Sequence, residues 1–74
     1  MLLLAKKPFP RGDVEWWAYL LDSSRLAGAV SRTLVFFAPQ TGERRILSWD
    51  ADAFGFEDIP DDALQEAFTS AETF

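Results

Sequence analysis

Two β-rich runs stand out in the middle of the chain. The first is Arg32, Thr33, Leu34, Val35, Phe36, Phe37 and Ala38; the second is Glu43, Arg44, Arg45, Ile46, Leu47, Ser48 and Trp49. Pro39, Gln40, Thr41 and Gly42 between them have the length and chemistry of a hairpin loop, so the runs are predicted to pair antiparallel. Arg44 and Arg45 fall near the start of the returning strand, where a charged edge discourages unwanted pairing. Towards the C-terminus the period changes. Ala63, Leu64, Ala67, Phe68 and Ala71 fall on one helical face, and Pro60 with Asp61 and Asp62 suits a helix start, which predicts an amphipathic helix over about residues 60–71.

The earlier pattern is less decisive. Met1, Leu2, Leu3, Leu4 and Ala5 read as a first strand, closed by turn chemistry over Pro8, Phe9, Pro10, Arg11, Gly12 and Asp13. Residues 14–21 admit two readings. Val14, Trp17, Leu20 and Leu21 share a helical face behind Asp13, yet the aromatic content favours a strand. Asp22, Ser23 and Ser24 signal a turn, residues 26–30 a short edge strand or a connection, and residues 50–56 a loop or short strand. Together these elements predict a single α+β domain spanning residues 1–74, with a small antiparallel sheet of about three to five strands packed against one C-terminal helix.

With 74 residues, 49% of them apolar and 15% aromatic, a packed core is expected, of a size at which marginal stability is the default. The apolar start is short, and its positive charges at Lys6 and Lys7 follow it rather than precede it. It therefore matches neither a secretion signal nor a membrane span. The absence of cysteine excludes disulfide staples and fits a cytoplasmic protein. Charge is unevenly spread. Residues 1–45 hold seven basic and four acidic side chains, whereas residues 46–74 hold eight carboxylates and no cation, within a net charge of −5. Such polarity steers encounter and points the acidic half towards a basic partner surface.

Candidate chemistry is sparse. Without His or Cys, the commonest general base, the thiolate nucleophile and the commonest metal ligand are missing, and the isolated glycines form no phosphate loop. No enzyme activity and no cofactor are therefore expected. Asp50, Asp52, Gly55, Asp58 and Asp61 overlap a calcium-loop spacing, but Phe54 stands where an oxygen ligand belongs and Asp61 is shorter than the bidentate Glu. The acidic run reads instead as solvated surface. Trp16 and Trp17 are adjacent, so in a strand they point to opposite faces, and a single covered face buries only one of them. The other is a candidate aromatic anchor at a protein interface.

Asp22, Ser23, Ser24, Arg25, Leu26 and Ala27, then Thr33 to Phe37, then Phe54, Gly55, Phe56, Glu57, Asp58, Ile59 and Pro60 with Phe68, resemble the KTSC domain. This short module occurs alone or attached to lysyl-tRNA synthetases. Its Ser-x-Gly-x-x-Phe close is echoed here by Ser70 and Phe74. The resemblance implies a small sheet with a terminal helix, and a role near tRNA or its synthetase through Arg25, Arg32, Arg44 and Arg45.

The charge pattern leads to a different expectation, a non-catalytic protein-binding protein. Asp50, Asp52, Glu57, Asp58, Asp61 and Asp62, with Trp16 and Trp17, are its candidate partner-binding residues. The partner surface is expected to be basic and to belong to a nucleic-acid-binding protein, as for phage anti-CRISPR or polymerase inhibitors. Net negative charge argues against direct nucleic-acid binding. No membrane partner is expected, and the tryptophans leave a homodimer or larger homo-oligomer open.

Overall fold

The computed structural model describes residues 2–22, 31–49 and 53–74. Four strands follow one another as a meander, β1 (Leu2–Arg11), β2 (Val14–Asp22), β3 (Arg32–Ala38) and β4 (Glu43–Trp49), each antiparallel to the one before. A single 3₁₀ turn (Phe56–Asp58) leads into helix α1 (Asp61–Ser70), and the chain returns as a two-residue strand β5 (Glu72–Thr73) beside β4. The sheet is open, with order β1-β2-β3-β4-β5, and the fold is α+β as the sequence predicts.

The β3–β4 hairpin has the predicted bounds. Its loop closes through the Gly42 amide donating to the Ala38 carbonyl at 2.8 Å, and Gly42 has φ 75°, a left-handed conformation that glycine adopts without a Cβ penalty. Residues 14–21 belong to strand β2. The expectation for the first strand needs correction: β1 runs on through Pro8 and Pro10 to Arg11, and the turn is only Gly12 and Asp13. β1 is an edge strand, where a proline nitrogen can face away from the neighbour without losing a ladder bond, so residues that read as a turn extend the strand. The expected element over residues 26–30 lies outside the described residues.

Every second residue of the sheet faces α1. Phe9, Trp16, Ala18, Leu20, Leu34, Phe36 and Ala38 form this inner face and are buried against Leu64, Ala67 and Phe68 of the helix, with Ala53 and Ile59 from the segment before it. Phe68 sits at the centre. Its ring lies 5.2 Å from Phe36, 5.5 Å from Phe9 and 4.9 Å, edge-on, from Trp16. Pro60 occupies the N-cap position, and the helix carries the predicted stripe, with Ala63 and Ala71 partly buried beside it.

Two arginines complete this layer. Arg32 is 4% exposed; its Nε donates to the Ala53 carbonyl at 2.7 Å, and its Nη1 meets Asp22 at 3.1 Å, tying the segment after β4 to the sheet. Arg45 lies 4.5 Å over the Phe68 ring and 5.7 Å from Trp16, and donates to the Phe68 carbonyl near the negative end of the helix dipole. β4 is thus no charged edge at this point: β5 pairs with Arg45 and Ile46, and Arg45 turns inward. The strand β5 had no counterpart among the predicted elements.

Candidate protein-binding surfaces

The acidic side chains gather where the 3₁₀ turn meets the helix. Glu57, Asp58, Asp61 and Asp62 flank Pro60 and are all exposed, as is Glu66 one turn further on. Two of them also shape the backbone. Asp58 Oδ2 accepts the Phe54 amide at 3.0 Å, which closes the turn, and Asp62 Oδ1 accepts the Ala63 amide at 3.0 Å in the first helical turn, where carboxylates offset unpaired N–H groups. Asp61 remains almost wholly in water, 3.7 Å from Lys7, whose Nζ also lies over the Phe56 ring. Phe54, two-thirds exposed, stands beside the cluster with Arg32 stacked on it at 5.1 Å. Asp50 and Asp52 lie outside the described residues. Of the calcium-loop spacing, Asp58 and Asp61 are directed to Phe54 and Lys7, and among the described residues no three acidic side chains converge as metal ligands do.

The adjacent tryptophans separate as β-strand geometry requires. Trp16, at 6% exposure, is a core residue under Phe68, so it presents little to a partner. Trp17 points through the other face, with Lys6 Nζ 6.0 Å from its ring, and with Pro8, Pro10 and Glu15 it borders a shallow depression of about 170 Å³. The sequence shows that the two must diverge. Which one turns inward depends on the register that sets Phe9 opposite Trp16.

Sequence reasoning missed the rest of that outer face. No described element packs over Trp17 and Tyr19 of β2, Val35 and Phe37 of β3, or Ile46 of β4, which are half-buried and neighbour one another across the ladder. The signal was present in β2 and β3, where apolar residues occupy both faces rather than alternating with polar ones. The arginines named for the tRNA-linked reading also separate: Arg32 and Arg45 are engaged within the fold, Arg44 lies on the outer face 4.9 Å over Phe74, and Arg25 is outside the described residues.

Compared with protein-family models, curated proteins and solved structures, the chain matches none. The KTSC resemblance therefore rests on its motifs alone. No helix among the described residues is long and apolar enough to cross a membrane.

Proposed function

We propose that this chain is a non-catalytic, cytoplasmic protein-binding protein whose acidic corner docks on a Lys/Arg-rich surface of its partner. The observation that carries this reading is the placement of Glu57, Asp58, Asp61 and Asp62, exposed on both sides of Pro60, with Lys7 the cation within ion-pairing distance of Asp61. Four carboxylates within six residues make a dense negative field, and a field of one sign speeds encounter with a surface of the other and disfavours wrong partners. Basic surfaces of that density are typical of proteins that hold nucleic acid. The protein would then act as an inhibitor that occupies such a groove in place of a phosphate backbone, a role also filled by anti-CRISPR and polymerase-inhibiting proteins.

The test is capture of partners on the immobilised chain, followed by affinity measurement. Replacing both carboxylates, Asp61→Asn with Asp62→Ser, keeps residues that suit a helix start and should weaken binding roughly tenfold at low salt, the loss shrinking as salt rises. Affinity that is unchanged over the whole salt range would sink the proposal. Recovery of RNA with no protein partner would favour the KTSC-like role near tRNA instead.

A further inference from the structure

Two neighbouring rows of side chains cross the outer face from β1 to β5. In one, Lys6 pairs with Tyr19, Tyr19 with Val35, Val35 with Ile46 and Ile46 with Glu72, so a cation stands at the β1 edge and a carboxylate at the β5 edge, with apolar groups between. In the other, Pro8, Trp17, Phe37 and Arg44 follow in order, and the Phe74 amide extends the row by donating to the Arg44 carbonyl at 3.1 Å. Lys6 and Glu72 are exposed; Tyr19, Val35 and Ile46 are only partly covered, whereas their inner neighbours Leu20, Leu34 and Phe36 are fully buried. An apolar face of this kind, rimmed by charge, marks an interaction surface.

We infer that this face packs against the same face of a second copy of the chain, about a two-fold axis that runs along β3 in the plane of the interface. β3 is the middle strand of the five, so this operation lays β1 of one copy over β5 of the other, and β2 over β4. Lys6 then meets Glu72 of the second copy, and Glu72 meets the second copy's Lys6. Trp17 comes opposite Arg44, a cation–π pairing, while Val35 and Phe37 meet their own counterparts on the axis. A two-fold axis at right angles to the strands would set Lys6 against Lys6 and Glu72 against Glu72. A partner of uniform charge would likewise be repelled at one edge. The charges of the row are thus matched by one symmetry operation, which favours a second copy over a different protein. The product is an aligned sandwich of two sheets, each backed by its own helix. It leaves both acidic corners, at the helix starts on the far sides of the sheets, free for the binding proposed above, so the two proposals stand or fall separately.

Sedimentation of the full chain over a range of concentrations reads this directly. Lys6→Glu and Glu72→Lys each place like charges face to face at two symmetry-related positions and should raise the dimer Kd about tenfold at low salt. The doubly exchanged chain, carrying both substitutions, should recover most of that loss. Val35→Lys sets two ammonium groups together on the axis and should leave a monomer at concentrations where the unchanged chain is a dimer. Circular dichroism and thermal melts of the same variants separate lost association from lost folding, and the charge exchange remains decisive if Val35→Lys does not fold. A chain that stays monomeric up to roughly millimolar concentration overturns the inference. So does a dimer that survives Val35→Lys in a folded chain, or a double exchange as weak as either single change.

Discussion

The two faces of the sheet are built from the same strands and are nearly equally apolar, yet among the described residues only one is covered by another element. On the inner face, Phe36 touches Phe9 and Phe68 and is wholly buried; on the outer face its neighbour Phe37, opposite Trp17 and Arg44 in the ladder, is only half-buried. Hydrophobic content therefore does not distinguish a core from an interface. What distinguishes them is whether another part of the chain arrives to remove water, and a single ten-residue helix covers one side only.

Adjacent residues that point to opposite faces give the sharpest ways to break this contrast. The largest difference is expected for the phenylalanines. Phe36→Ala should cost about 3–5 kcal/mol through lost burial and a cavity beneath Phe68, comparable with the whole stability of a small domain. Phe37→Ala should cost about 1 kcal/mol when urea unfolding is read at concentrations too dilute for association. Equal losses would mean that the outer face is covered too. Next come the arginines. Arg45→Ala removes the stacking on Phe68 and Trp16 and a donor to the helix end, for about 1–2 kcal/mol, partly offset because Arg45 Nε is buried without an acceptor. Arg44→Ala should stay within about 0.5 kcal/mol in the same measurement. The smallest effect is spectroscopic. Acrylamide quenching of tryptophan emission should fall in Trp17→Phe and hold or rise in Trp16→Phe, because Trp17 is the more accessible of the two.

Local chemistry made the β3–β4 hairpin and the helix legible in the sequence: a loop ending in Gly42, carboxylates behind Pro60, and an apolar stripe at helical spacing all act within a few residues. The full length of β1 is not legible, because Pro8 and Pro10 carry opposite meanings in a turn and at a sheet edge, and only the pairing with β2 decides between them. β5 was invisible, since two residues have no periodicity and become a strand only where Ile46 and Arg45 offer a partner. The acidic corner could be read from contiguity along the chain. The charge-matched row from Lys6 to Glu72 could not, because it depends on the register of all five strands and its two ends are far apart in sequence.

The meander carries a kinetic consequence. β2, β3 and β4 each pair with their immediate predecessor, so most of the sheet assembles by closing short connections, and little loop entropy is spent before pairing begins. The exception is β5, which must wait until α1 has formed and crossed the inner face before Glu72 and Thr73 can reach β4. The four-strand meander should therefore form early and the helix with its terminal strand last, with slow amide exchange concentrated in β2 and β3 rather than in α1.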